Sequence, residues 1–327
     1  TNGKRVKRGM FKYIKIAPRA KPGAGLLLTV CPARIKIEIK LPTYYENITL
    51  GGRGDDKKLV TEKEVNTFNI TSDNLKEGVR VELGLKPKDV FLKDPTPYKN
   101  LYEIHNWSQV TRILKVDSIK LVDVVKMNKV ITVCKYINNT TRSSFKIKAE
   151  LFKSVENSVS SRWSARGIPN DNILYDVDLK FINAELHYEN KWRHKVLRNV
   201  FAPFGVSKHG YIEIEPGQTA LFKLSATRVI VLIDVDYIAN LEGDVIAHYK
   251  NLYGKYHFYS PTVESIMKAA ELKNEIVTTE TIEINFFTDP KLKIYNDTTG
   301  ESLTVVKPPQ TPLRKIKSKN GKKTVLN

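Results

Sequence analysis

Strict alternation of apolar and polar residues is the feature that most limits what this chain can become. Its cleanest run is Arg34-Ile35-Lys36-Ile37-Glu38-Ile39-Lys40-Leu41. Successive side chains of a strand point to opposite faces, so such a run reads as a strand with one face buried and one in water. The pattern recurs at Val79 to Leu83, Ile113 to Val124, Val130 to Ile137, Phe145 to Phe152, Tyr175 to Tyr188, Tyr211 to Glu215, Ala220 to Ser225, Val229 to Ala239, Ile276 to Phe287 and Lys291 to Tyr295. One short helix is expected, near 261–273. Ser260-Pro261 offers an N-cap and a first helical residue, and Val263, Ile266, Met267 and Ala270 then keep helical spacing. Strands that are not interleaved with helices disfavour a doubly wound parallel sheet, so the predicted class is all-β, elongated and mostly antiparallel.

Composition sets the rest of the frame. The chain has 327 residues, of which 41% are hydrophobic, enough to bury a substantial core. Its longest apolar runs, Leu26 to Val30 and Val229 to Ile233, fall far short of the roughly 18 residues that a spanning helix needs. Lys+Arg number 54 against 35 Asp+Glu, a net charge of +19. Two arms without acidic residues, 1–21 with +8 and 310–327 with +6, hold most of it and leave +5 for the residues between. Solvated arms of this kind suit an anionic membrane surface or acidic glycans, whereas nucleic acid is read from a folded basic face with stacking aromatics. The expected organisation is a basic N-terminal arm (1–21), a surface- or receptor-binding lobe (22–100), a β module (101–306) and a basic C-terminal arm (307–327). Gly51-Gly52-Arg53-Gly54-Asp55-Asp56 reads as a loop, and it carries an Arg-Gly-Asp tripeptide.

Six Asn-x-Ser/Thr acceptors, at Asn47, Asn69, Asn106, Asn138, Asn139 and Asn296, exceed the roughly three expected by chance and suggest a secreted glycoprotein. Cys31 and Cys134 are the only cysteines. In a secreted chain they would most simply pair, closing a loop of about a hundred residues worth on the order of 4 kcal/mol; in a reducing compartment they would be two buried thiols. Arg5-Val6-Lys7-Arg8 fits a convertase site and Arg314-Lys315 a dibasic one, which makes Arg8 and Arg314 candidate processing positions.

Catalytic chemistry finds little footing. No GxSxG elbow, P-loop, dinucleotide fingerprint, HExxH or EF-hand loop is present, and the histidines are scattered without carboxylate support. Ser143-Ser144-Phe145-Lys146 and Ser72-Asp73-Asn74 occur in the wrong order for a penicillin-binding site, and alternation alone places Asp234 and Asp236 on one strand face. The chain is therefore expected to be neither an enzyme nor a carrier of a metal or cofactor.

From about 138 to 249 the order of features is more specific. A strand ends in Asn139-Thr140-Thr141. A second leads into Ser154-Val155-Glu156-Asn157-Ser158-Val159-Ser160-Ser161-Arg162-Trp163-Ser164. A later one closes in Glu215-Pro216-Gly217-Gln218-Thr219-Ala220, and a last ends Tyr237-Ile238-Ala239-Asn240-Leu241-Glu242-Gly243. This succession resembles the membrane module of the aerolysin-like β-pore-forming proteins, in particular the epsilon-toxin and mosquitocidal-toxin branch, over about a third of the chain. The resemblance implies a secreted soluble form that binds a membrane surface or a cell-surface glycan or protein receptor and assembles into homo-oligomers. It also implies that an amphipathic hairpin refolds into a transmembrane β-barrel. By position that hairpin lies between 164 and 207, with Tyr175, Val177, Leu179 and Phe181 as its apolar face. Trp192-Arg193-His194-Lys195 breaks the alternation and would set charge against lipid at about 2 to 4 kcal/mol per residue. A non-lytic yolk, storage or egg-coat protein on the same fold is the alternative.

Overall fold

The computed structural model describes residues 34–42, 47–169, 172–181 and 184–307. The first alternating run becomes β1 (Lys36–Lys40), followed by β2 (Thr49–Arg53) and β3 (Asp55–Leu59). A mixed segment comes next: α1 (Glu62–Thr67), α2 (Ser72–Leu83), β4 (Asp89–Phe91) and α3 (Leu101–His105). Long strands take over with β5 (Thr111–Asn138), β6 (Phe145–Trp163), the short pair β7 (Leu174–Lys180) and β8 (Glu185–Lys191), β9 (Val196–Ile214) and β10 (Thr219–Glu242). The chain continues through β11 (Ile246–Tyr253), β12 (Tyr256–Tyr259), α4 (Val263–Ala269) and β13 (Ile276–Asn296).

Three sheets result. The largest has the order β3-β5-β10-β13-β6-β9 and is antiparallel throughout. A four-stranded sheet, β2-β1-β7-β8, contains one parallel pair, β1 with β7. The third is β12-β11-β4. The main core lies where the four-stranded sheet, α2 and α4 meet the large one; Ile37, Ile39, Val177, Val231, Ile233, Ile266 and Ile284 are fully buried in it. A second core, around Leu151, Phe204, Phe222 and Leu292, fills the space between β6–β9 and β10–β13. The described residues form one compact unit, and among them no helix is long and apolar enough to cross a bilayer.

The helix expected near 261–273 is present as α4, with Thr262 as its N-cap accepting from the Ser265 amide at 3.3 Å. Three further helices were not foreseen, and one corrects an expected strand. Val79 to Leu83 ends α2, whose buried residues Leu75, Gly78 and Val79 follow helical spacing. Five residues cannot distinguish the two periods, but Thr71 at the N-cap and Gly84, left-handed at φ +90°, bracket a helix. The expected loop at 51–56 is also corrected. Gly51 and Gly52 belong to β2, and a Cβ on Gly52 would lie 2.8 Å from Val116 Cγ1, so glycine here permits close approach of β2 to β5. Only Gly54, at φ +83°, bends the chain. The Arg-Gly-Asp residues thus sit where the chain passes from β2 to β3, with Arg53 bound to Glu38 at 2.9 Å and Asp55 to Lys57 at 3.2 Å.

Candidate membrane hairpin

Between Trp163 and Val196 the chain leaves the large sheet and returns to it. β6 and β9 are paired antiparallel from Phe145↔Ile214 to Ser161↔Val196, and the residues between them form the β7–β8 hairpin, in register from Leu174↔Lys191 to Lys180↔Glu185. The candidate segment 164–207 therefore contains this hairpin and the first part of β9.

Alternation divides the hairpin into two faces. Tyr175, Val177, Leu179 and Phe181 are buried, as are Tyr188 and Asn190 across the pair. Asp176, Asp178, Lys180, Glu185, His187, Glu189 and Lys191 all take the opposite phase. The residues that interrupt the pattern do so because the chain turns there. Arg193 has φ +59°, its guanidinium donates to the carbonyls of Ser164 and Ala165, and Trp192 drops wholly into the core.

The polar face is tied to β1. Lys36 pairs with Asp178 at 2.5 Å, Arg34 with Glu189 at 2.7 Å and Arg34 with Asp176 at 3.5 Å, while His187 contacts Asp178 from the neighbouring strand. Such partly exposed pairs are worth about 0.2 to 1 kcal/mol each. Burying a large apolar side chain is worth about 1.5 to 3 kcal/mol, so the inner face decides where the hairpin rests.

That inner face closes over a carboxyl group. Glu280 of β13 is fully buried. Tyr175 donates to its Oε1 at 2.7 Å and Tyr237 of β10 to its Oε2 at 2.9 Å; Asn190 Nδ2 in turn donates to the Tyr175 hydroxyl at 2.6 Å. Trp163 and Trp192 complete the box, with ring centroids 4.7 Å apart and 5.7 and 4.9 Å from that of Tyr237. No cation pairs with Glu280 among the described residues. Burial therefore raises its pKa from the ordinary carboxyl range to about 7, against the opposing pull of the phenol hydrogen bonds.

Sequence reasoning missed this box although a signal existed. Glu280 shares the inward phase of β13 with Ile282, Ile284 and Phe286, and a charge on the apolar phase of a strand needs an account. Asp234 and Asp236, by contrast, act as cross-strand acceptors: Thr281 donates to Asp234 at 2.6 Å, and Thr279 and Ser118 donate to Asp236 at 2.7 and 2.9 Å.

The other candidate residues are spread over the molecule. Asn47, Asn69, Asn106 and Asn138 are exposed, and Asn296 is half-buried. Asn139 is fully buried, with Nδ2 donating to the carbonyls of Ser143 and Ile214, bonds that a glycan would displace. Cys134 is exposed on β5. Cys31, Arg8, Arg314 and most of both basic arms lie outside the described residues.

No family model matches the chain. It is 29% identical over 261 residues to U-megalopygitoxin(8)-Mo15 of Megalopyge opercularis, covering 79% of this chain and 83% of that one. To U-megalopygitoxin(8)-Mc8 of Megalopyge crispata it is 26% identical over 246 residues, covering 75% and 85%. Among solved structures, the parasporin-2 toxin of Bacillus thuringiensis, which recognizes cancer cells, superposes with a TM-score of 0.50 at 11% identity, over 73% of this chain and 97% of that one. The long antiparallel strands and this superposition agree with the resemblance found in the sequence: the chain has the aerolysin-like β-pore-forming fold, and its relatives are toxins by name.

Proposed function

We propose that the protein is a secreted, membrane-active protein of toxin type. It binds a membrane surface or a cell-surface glycan or protein receptor, assembles with copies of itself, and releases residues 164–207 to line a β-barrel pore without catalysing a reaction. The division of β7–β8 into two faces carries this reading. In a barrel, Tyr175, Val177, Leu179 and Phe181 would meet lipid, and the charges on the opposite phase would meet the water-filled lumen. Both strands are seven residues long, short of the roughly 9 to 11 that a membrane strand needs, so the flanking residues and the start of β9 supply the remainder. Leu197 and Phe201 within the segment, and Phe152 on the adjoining β6, are exposed at 74, 66 and 56% and suit contact with lipid. The exposed acceptor asparagines fit a secreted glycoprotein, Cys31 would pair with Cys134, and trimming at Arg8 or Arg314 would set activity.

The test is dye release from anionic and cell-derived liposomes, with SDS-resistant oligomers sought in the same samples, using intact and protease-trimmed protein. Introducing Glu38→Cys with Asp178→Cys, which face each other in the β1–β7 register, should block release when oxidised and permit it when reduced. Binding without release by any form would support the coat or storage reading, which the ion-paired grip of β1 on β7 favours.

A further inference from the structure

The hairpin's berth contains an ionisable group that the pore-forming reading alone does not use. We infer that Glu280 is a proton-operated latch on β7–β8: protonated, its carboxyl rests under the hairpin at little cost, and ionised, it drives the hairpin away so that the carboxylate can reach water. The inference rests on the reading of 164–207 as the mobile segment.

The geometry makes the coupling direct. Every element around the carboxyl offers neutral groups: the Tyr175 hydroxyl from β7, Tyr188 and Asn190 from β8, Trp192 beyond it, Tyr237 from β10, and Ser161 and Trp163 from β6. Arg198 stands 5.9 Å from the centre of the Tyr188 ring rather than on the carboxyl. The Tyr188 hydroxyl and Trp192 Nε1 are buried without partners. Since Tyr175, Asn190 and Trp192 all travel with the hairpin, its departure uncovers Glu280.

The sign follows from proton counts. With the hairpin seated the carboxyl titrates near 7, whereas uncovered it returns towards its ordinary value of 4.5. Between those values the seated form holds the extra proton, so the seat is strongest below the lower value and weakens as pH rises. Above the upper value both forms are ionised and the full penalty remains. One pH unit inside the window changes the opening constant by up to about tenfold.

Amide exchange over residues 174–191 in membrane-free, full-length protein tests the latch. After correction for chemical exchange, the opening constant should rise on the order of tens-fold from pH 5.5 to 8.5. Glu280→Gln, which keeps an acceptor for a phenol and loses the proton, should abolish the slope. Tyr237→Phe guards against a misfolded glutamine variant: loss of a donor that favours the carboxylate should move the upper end of the transition to higher pH. A flat wild-type profile, a slope retained in Glu280→Gln, or an unmoved transition in Tyr237→Phe overturns the latch. Dye release reports separately: a slope without release leaves the latch and removes the pore, and release without a slope does the reverse.

Discussion

Arg112 and Glu280 are both fully buried, and they are held in opposite ways. Arg112 of β5 pairs with Glu64 of α1 at 2.8 Å and with Asp56 of β3 at 2.5 Å, and it donates to the Asp56 carbonyl at 2.9 Å. Glu64 is itself buried, fixed by the Thr61 amide and hydroxyl in the capping box that starts α1. Glu280 has neutral neighbours: two phenols, the Ser161 hydroxyl, an amide at one remove and indole rings. A compensated charge is costly to uncouple, so it makes a permanent joint. A charge with neutral partners can discard its cost by taking up a proton, so it makes a joint whose strength depends on pH. The first lies under α1, away from the candidate hairpin; the second lies beneath it.

The comparison can be broken most severely at the permanent joint. Glu64→Ala strands the Arg112 guanidinium and removes the capping carboxylate, and it should cost about 3 to 5 kcal/mol in urea denaturation, similarly at pH 6 and pH 8. A loss below 1 kcal/mol would mean that Asp56 alone satisfies the arginine. Glu280→Gln should act in the other direction and with a pH signature. It should stabilise the protein at pH 8 by about 1 to 3 kcal/mol and change little at pH 5, because only the ionised wild type carries the burial penalty. Equal effects at both values would remove the distinction between the two sites. The smallest effect is expected at the rim. Asp178→Asn, which loses the pairs to Lys36 and His187, should cost under about 1 kcal/mol, and the difference from wild type should shrink in high salt.

Much of the fold was legible because half-buried strands carry their faces in plain alternation. Val229 to Ala239 and Ile276 to Phe287 read as strands and pair with each other over nearly their whole length. Legibility failed where windows were short or the relevant contact was distant. Val79 to Leu83 alternates within a helix, and the glycines at 51 and 52 look like a loop until Val116 and Ile119 are seen against Gly52. At the candidate site the apolar face of β7 was visible. The box beneath it was not, because Glu280 meets Tyr175 only through pairing more than a hundred residues apart, and a lone glutamate within an alternating strand passes for part of a solvated face.

The parallel pairing of β1 with β7 has a bearing on how the chain comes together. The β7–β8 turn joins neighbours, Lys180 facing Glu185, and can close as soon as both strands exist. Its berth against β1 joins residues 140 positions apart, as in the bond from Arg34 to the Leu174 carbonyl. Contacts of that separation carry the larger loop-closure cost and form late. By loop-closure cost the hairpin is thus the inexpensive, local structure and its docking on β1 the expensive, distant one.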